Sequence, residues 1–281
     1  MHGKALPYLL LMPATLFLCI FFLYPFALVG FEAVTRDGAF TFDNFRTMAG
    51  SWKFPVTVRN TLLLAAIVVP IQLVIALLMA SVVSRLETGR SAALYVFAIP
   101  LGISDLAAGL IWLAIFDQSG FLNTLLSYLG IVDRPIMFLG YQSKLTIFIA
   151  VALAEIWRAT AIMMVILVAG MGLIPKEYYE AAEVFGAGPW RRFVRVTLPL
   201  LRPSLQTAII LRVILAFEVF AVVAALGGTN LPVLMGETYN WQFTLQDRNV
   251  AAASALLILA ISIGFTLFFL RVLRVPKDAR I

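Results

Sequence analysis

The sequence predicts an all-α protein, a polytopic membrane helix bundle with six transmembrane helices, and three observations lead to this prediction. Hydrophobic residues make up 62% of the 281 residues and charged residues only 13%, whereas soluble domains are about half apolar and about a quarter charged. The apolar residues are concentrated in six runs, each long enough for a bilayer, which takes roughly 20 residues. Lys and Arg lie mainly at the ends of these runs, as is typical of membrane proteins.

The apolar runs also define the predicted domain organisation. The predicted spans lie, to within a few residues, at 8–34, 61–84, 92–116, 145–170, 203–226 and 250–271. The first apolar run, Ala5 to Phe31, is uncharged and too long for the core of a signal peptide, so we interpret it as a retained helix. The connections are mostly short, which predicts a single transmembrane domain over residues 1–281 and no second domain.

The distribution of cations predicts the orientation in the membrane. Lys and Arg are more frequent in the segments that lie inside if both termini are cytoplasmic, although the first outer loop is itself basic. The positive-inside rule therefore favours cytoplasmic N- and C-termini in a multi-pass membrane protein. The net charge of +6 could also indicate a nucleic-acid partner. The Lys and Arg residues, however, lie mainly at the predicted membrane boundaries, which predicts contact with membrane lipid and no nucleic-acid partner.

The loop between the fourth and fifth spans, 171–202, carries its own helical pattern. Pro175 can begin a helix, and an apolar stripe follows at helical spacing: Tyr178, Ala181, Ala182 and Phe185. Gly186 can end this helix and Pro189 can begin a second one. The pattern predicts a short helix–turn–helix at the inner membrane face. An interfacial amphipathic loop, which many membrane proteins have, explains the periodicity equally well.

The order of residues in this loop is more specific than its periodicity. Glu180-Ala181-Ala182, then Gly186, then Thr197-Leu198-Pro199 resembles the EAA loop of ABC importer permeases, and we call residues 171–202 the EAA-like loop. The resemblance implies an ABC type I importer permease fold and a multi-pass protein of the bacterial cytoplasmic (inner) membrane. In that family the short helix of the loop docks into the ATPase subunit and transmits its closure. The ATPase-coupling residues would then be Glu180, Ala181, Ala182 and Gly186.

Other segments resemble the sugar-permease branch of this family, and the similarity covers nearly the whole chain. The segments are Pro7-Tyr8-Leu9-Leu10 with Tyr24-Pro25, Arg59-Asn60-Thr61-Leu62, Asn123, Trp157-Arg158 and Gly227-Gly228. The chain departs from the family at Phe185, where Asp is usual, and at Thr229-Asn230. The resemblance to maltose-, trehalose- and glycerol-phosphate-type systems implies a homologous second permease subunit, two copies of an ATP-binding subunit and an extracytoplasmic solute-binding protein.

Five charged residues lie well inside the predicted spans, away from the span ends, and a charge at the bilayer centre costs at least ~2.5–3.5 kcal/mol. They are Asp105, Glu155, Arg158, Arg212 and Glu218. Such residues should face the bundle interior or water, and Glu155 and Arg158 are spaced to pair on one helix. Two interpretations remain open: buried pairs that stabilise helix packing, or a polar cavity for a hydroxylated substrate. Pro100 and Gly102 predict a kink just before Asp105.

The resemblance places substrate contacts on the third, fourth and fifth spans. The implied substrate-binding residues are Leu101, Asp105, Glu155, Arg158, Ala159, Arg212, Ala216 and Val219, with the adjacent Glu218. The indole faces of Trp112 and Trp157 can stack on a sugar ring. Because two carboxylates can neutralise two arginines, we favour a neutral sugar or glycoside. The alternative is an anionic substrate such as a glycerol phosphate or a sulfonated or phosphorylated sugar, for which arginine offers bidentate contacts.

The sequence argues against several other functions. It has no Gly-x4-Gly-Lys-Ser/Thr phosphate loop, so ATP would be used by the partner subunits. One histidine, His2, and one cysteine, Cys19, cannot build a zinc, haem or iron–sulfur site. We therefore predict no catalytic residues, no metal and no cofactor. A secondary transporter relaying protons through Glu155 and Glu218 would require inverted repeats, which we do not find, and no motif supports an intramembrane enzyme built on Asp105.

Together these patterns predict the permease subunit of an ABC importer. It would form half of a translocation pathway for a sugar or glycoside and would be coupled to a separate ATPase through the EAA-like loop. Copurification with a nucleotide-binding protein would separate this hypothesis from a secondary transporter and from an intramembrane enzyme.

Overall fold

The computed structural model describes residues 6–274, which are almost entirely helical. Two short strands, β1 (Thr35–Arg36) and β2 (Ala39–Phe40), form an antiparallel pair. The helices in chain order are α1 (Leu6–Leu18), α2 (Tyr24–Ala33), α3 (Asp43–Gly50), α4 (Phe54–Arg85), α5 (Arg90–Ala98), α6 (Asp105–Phe116), α7 (Phe121–Tyr128), α8 (Lys144–Gly172), α9 (Lys176–Val184), α10 (Pro189–Arg192), α11 (Leu198–Leu200), α12 (Arg202–Phe217), α13 (Ala221–Leu226), α14 (Leu234–Tyr239) and α15 (Arg248–Val272). The predicted all-α class is confirmed.

Several of these helices are long and apolar enough to cross a membrane. Within residues 6–274 five segments qualify by length and composition: Tyr8–Ala33, Phe54–Arg85, Asp105–Tyr128, Lys144–Gly172 and Arg248–Val272. A further pair, Pro189–Leu200 and Arg202–Phe217, is bent by 71° and makes a sixth if it is counted as one span. The predicted count of six agrees with this upper number.

The third predicted span, 92–116, is not one continuous helix. A 3-10 turn, Ile99–Gly102, follows α5, and Ser104 has an extended backbone. The Ser104 hydroxyl accepts a hydrogen bond from the Ala107 N–H at 3.2 Å and so caps the new helix α6. Pro100 lies inside the turn and has no N–H to donate. The predicted kink is thus a break, and Asp105 is the first residue after it.

The fifth predicted span, 203–226, is also broken. Helix α12 ends at Phe217 and α13 begins at Ala221. Glu218 is the C-terminal cap of α12, and Phe220 has φ −141° and ψ −59°, which is not helical. Apolar residues continue across this segment, so the break is not visible from the sequence pattern.

The chain forms two compact units. The first comprises the chain up to Pro55 together with Glu237–Ala260, and the second comprises Val56–Gly236 and the chain from Ile261 onwards. A single domain over 1–281 therefore stays a prediction.

Two amide side chains, the buried Asn44 and the half-buried Asn249, organise the first unit. The Asn44 Nδ2 donates to the backbone oxygen of Thr35 at 2.9 Å, and the Asn249 Nδ2 donates to the same oxygen at 2.7 Å. Arg36 pairs with Asp247 at 3.0 Å. These contacts connect the start of α15 with the segment after α2, whose carbonyl groups would otherwise lack partners at the helix end.

The second unit is built around α8, which α12 crosses at very short distance. A Cβ added at Gly170 would lie 2.6 Å from the Ser204 Cβ and 2.9 Å from the Leu201 Cδ1. Only glycine therefore allows this approach. Helix α6 approaches α13 in the same way, because a Cβ at Gly109 would lie 2.7 Å from the Ala225 Cβ.

Gly170→Ala should destabilise the second unit by about 1–3 kcal/mol, the usual cost of overpacking. Gly172→Ala is the matched control, since a Cβ there would meet only the Arg90 Nη2 at 3.9 Å. Thermal unfolding of the purified chain in detergent measures both variants. Equal melting temperatures for the two variants would contradict the close α8–α12 crossing.

Candidate functional site

Four of the five intramembrane charges form one continuous chain of contacts. On α8 the Glu155 Oε2 lies 2.8 Å from the Arg212 Nη2 of α12 and 3.8 Å from the Arg158 Nη2. The Arg158 Nη1 lies 2.8 Å from the Asp105 Oδ1 at the start of α6. Two carboxylates therefore balance two guanidinium groups across three helices.

Gln72 of α4 completes this network, and the sequence prediction did not include it. Its Oε1 accepts a hydrogen bond from the Arg212 Nε at 2.5 Å, and its Nε2 donates to the backbone oxygen of Glu155 at 2.7 Å. The Gln72 side chain is fully buried. A glutamine inside an apolar run needs a hydrogen-bond partner. The position of Gln72 in the predicted second span could therefore have identified it as a candidate member of the network.

The two halves of the network differ in exposure. The Glu155 and Arg212 side chains are 4% and 2% exposed, whereas those of Arg158 and Asp105 are 16% and 50% exposed. The inner pair, Glu155–Arg212, is thus shielded from solvent, whereas the outer pair, Asp105–Arg158, is accessible to solvent at Asp105. The Glu155 Oε1, the Arg158 Nε and the Arg212 Nη1 have no hydrogen-bond partner within the described residues.

Two further predicted residues lie beside the inner pair. A small cavity is lined in part by Glu155, Arg212, Ala216 and Val219. Ala216 and Val219 are both buried and carry no polar side chain, so they can shape the cavity without donating or accepting hydrogen bonds.

Three predicted site residues are not part of the network. Leu101 is 43% exposed in the turn before α6, and Ala159 is buried in α8. Glu218 is exposed in the break after α12 and forms no salt bridge within residues 6–274.

The two tryptophans expected near the site contact each other. The Trp112 and Trp157 rings meet edge to face with centroids 6.3 Å apart, and the Trp112 ring also stacks on Phe116 at 5.7 Å. Trp157 lines a cavity of about 300 Å³ together with Pro100 and Thr160. Trp157 is therefore the better placed of the two to meet a ligand.

The EAA-like loop contains the predicted helix–turn–helix. Pro175 precedes α9, and Gly186 follows its C-terminal cap with φ +71°. The Ala187 N–H donates to the Ala182 oxygen at 2.9 Å, and the Gly186 N–H donates to the Glu183 oxygen at 2.8 Å. This pair of bonds is the Schellman motif, which requires a left-handed residue at the position of Gly186.

The turn of this loop exposes large apolar side chains. Val184, Phe185 and Trp190 are 85%, 87% and 76% exposed, and we call these three residues the apolar turn. Exposed apolar groups clustered on a short element are typical of a surface that contacts another protein or a membrane. Glu180 and Ala181 are also exposed, while Ala182 is half-buried. Within the described part of the chain no group of three or more His, Cys, Asp and Glu residues is placed to hold a metal.

Comparison with known proteins covers most of the chain. The family model described as "binding-protein-dependent transport system inner membrane component" matches residues 72–277. The trehalose/maltose transport system permease protein MalF of Thermococcus litoralis is 28% identical over 97% of this chain and 95% of its own. The sulfoquinovosyl glycerol transport system permease protein SmoG of Agrobacterium fabrum is 32% identical over 98% and 92%. The sn-glycerol-3-phosphate transport system permease protein UgpA of the same organism is 27% identical over 96% and 94%.

Solved structures share the fold. A bacterial ABC transporter chain involved in import of the acidic polysaccharide alginate superposes with a TM-score of 0.84, at 22% identity, over 96% of this chain and 95% of that chain. The alginate transporter in complex with its alginate pentasaccharide-bound periplasmic protein gives 0.83 over 96% and 94%. The ABC importer permease fold expected from the sequence is confirmed. Because the family model includes the charge network and the EAA-like loop, the chain belongs to the family of inner membrane components of binding-protein-dependent transport systems.

Proposed function

We propose that this permease carries a neutral sugar or glycoside and that the outer pair, Asp105–Arg158, contacts it. The observation that supports this proposal is the internal charge balance of the network, in which each guanidinium already has a carboxylate partner. A neutral solute needs no net charge from its site. It needs matched hydrogen-bond donors and acceptors, because unpaired polar groups in a closed site are costly.

The network offers such groups. The Asp105 carboxylate is half exposed, and the neighbouring Arg158 guanidinium is partly exposed. Sugar hydroxyls can donate to the former and accept from the latter. The inner pair and Gln72 would then position Arg158 through the Glu155 carboxylate, and Trp157 would offer an apolar ring face to the sugar.

An anionic substrate is the second candidate. Relatives named for sulfoquinovosyl glycerol and sn-glycerol-3-phosphate favour it, whereas the relative named for trehalose and maltose favours a neutral sugar. A phosphate or sulfonate would take bidentate bonds from Arg158. Asp105 would have to release Arg158 for that contact, because the two groups are 2.8 Å apart.

The same proposal includes assembly and coupling. The chain would form half of the pathway with a homologous second permease, and two copies of an ATP-binding subunit would dock on the EAA-like loop. The exposed apolar turn supports docking, with Phe185 as its central anchor. An extracytoplasmic solute-binding protein would deliver substrate, and both termini would lie in the cytoplasm. One domain over 1–281 would then carry the whole function.

Asp105→Asn separates the two substrate classes. For a neutral sugar we expect uptake to fall about tenfold or more, since a hydrogen bond to a charged group contributes about 1.5–3 kcal/mol. For an anionic substrate we expect uptake to be retained or raised, because the Arg158 guanidinium is released. The measurement is radiolabelled uptake in cells of a maltose-type disaccharide and of glycerol 3-phosphate.

The matched control is Asp133→Asn, which makes the same change at an exposed loop position. It should leave uptake unchanged. If Asp105→Asn behaves like this control for both labelled compounds, the outer pair does not contact substrate.

A further inference from the structure

Another cavity, which has a polar lining, lies where the EAA-like loop meets the end of α4, the start of α5 and the end of α8. It has a volume of about 480 Å³ and is lined by the cations Arg85, Arg90, Lys176 and Arg192, among other residues. It shares no lining residue with the charge network. We propose that this basic cavity binds a phosphate-bearing anion.

The cations that line the basic cavity come from different elements. Arg85 is the last residue of α4, Arg90 the first of α5, Lys176 the first of α9 and Arg192 the last of α10. No carboxylate is among the lining residues. Glu183 lies 3.3 Å from Arg192 but is 70% exposed, so it is largely solvated.

Three of the four cations have no carboxylate partner among the described residues. Within residues 6–274, neither Arg85 nor Arg90 nor Lys176 forms a salt bridge. Like charges gathered around one cavity repel each other, more strongly than in bulk water because the protein lowers the local dielectric. A bound anion would remove this repulsion. Cations that only follow the positive-inside rule would have no reason to converge on one cavity.

The remaining polar lining consists of hydroxyl groups, which donate hydrogen bonds to anions. The Ser84 hydroxyl donates to the Met171 Sδ, at 3.4 Å. Because sulfur is a weak acceptor, this hydroxyl could donate to a ligand oxygen instead. The Thr197 hydroxyl donates to the Tyr179 hydroxyl at 3.3 Å, which leaves the Tyr179 proton able to point at a ligand.

Two helix N-termini add positive potential at the same place. Helices α5 and α9 begin at the lining residues Arg90 and Lys176, and neither has a side-chain cap. Uncapped N–H groups and the helix dipole both favour a negative group at such an end. Arginine in particular matches the geometry of phosphate oxygens.

The phosphate could come from two sources, an anionic phospholipid headgroup or a soluble phosphate compound. The cavity volume is within the range of small-molecule sites, about 300–1,000 Å³, and the cavity is partly open, so both fit. An occupant would contact α9 directly and would therefore stabilise the EAA-like loop against α4 and α5.

The test uses the full chain in nanodiscs of phosphatidylcholine, titrated with inorganic pyrophosphate in magnesium-free buffer. We expect pyrophosphate to raise the melting temperature of the wild type. The variant Arg85→Gln/Arg90→Gln should bind pyrophosphate at least tenfold more weakly. The control variant Arg191→Gln/Arg195→Gln removes the same charge from the EAA-like loop at two positions outside the cavity lining, and it should bind like the wild type.

A second set of nanodiscs containing phosphatidylglycerol distinguishes the sources. If phosphatidylglycerol raises the melting temperature through Arg85 and Arg90 and blocks pyrophosphate, the occupant is a lipid headgroup. If pyrophosphate binds equally in both nanodiscs, the occupant is a soluble phosphate compound. Either result supports the site. The proposal is overturned if neither probe binds, if both double variants weaken binding equally, or if Arg85→Gln/Arg90→Gln binds both probes like the wild type. Uptake is not the readout, so failure here leaves the proposed function standing.

Discussion

Gly186→Val should abolish solute uptake while the chain still inserts into the membrane. Gly186 has φ +71°, a backbone region in which a β-branched residue is strongly disfavoured. A Cβ at this position would meet nothing within 4 Å, so the effect comes from the backbone and not from crowding. Valine should break the Schellman motif and redirect the apolar turn away from the ATP-binding subunit that we propose docks on it. The measurement is ATPase activity stimulated by the solute-binding protein in liposomes, together with uptake.

Two control variants isolate the backbone effect. Gly186→Asn should recover most of the coupling, because asparagine tolerates the left-handed region better than other residues. Gly188→Ala should be neutral, since Gly188 has φ −64° and open space around it. Wild-type stimulation in Gly186→Val would show that the geometry of this turn is not needed for coupling.

The EAA-like loop could be predicted in detail because its structure is encoded locally. Pro175 lies just before α9 and Gly186 just after its cap, as the proline and glycine signals predicted. The spans were also predictable as apolar runs, but their interruptions were not. Hydropathy stays high across Ser104 and across Glu218, whereas the breaks depend on a capping hydrogen bond and on the backbone angles of Phe220.

The four charged residues of the network were predictable from the sequence, but their pairing and the participation of Gln72 were not. A charged residue in an apolar run can be recognised from the sequence, and because a charge in the membrane is costly it is expected to face the bundle interior. Its partner depends on how distant helices pack, and Gln72 is 140 residues from Arg212 along the chain. The expected pairing of Glu155 with Arg158 is present only as a 3.8 Å contact, because Arg158 bonds Asp105 and Glu155 bonds Arg212 more closely.

Arg212→Met should destabilise the second unit by about 3–5 kcal/mol, the usual cost of leaving one partner of a buried ion pair uncompensated. The Glu155 side chain is only 4% exposed, and it would keep only the more distant Arg158 as a counter-ion. The Gln72 Oε1 would also lose its donor. We expect a large fall in melting temperature and in the yield of folded protein in detergent.

Two companion variants determine whether the inner pair is structural and the outer pair functional. Arg212→Met combined with Glu155→Gln removes both buried charges and should recover most of the lost stability, since neutral replacements of buried pairs are often tolerated. Arg158→Gln should leave the melting temperature almost unchanged, because Asp105 is half exposed and water can solvate it. Its uptake should nevertheless fall at least tenfold. If Arg158→Gln and Arg212→Met lose stability equally, the network acts as one packing unit, and the division between a supporting inner pair and a substrate-contacting outer pair is wrong.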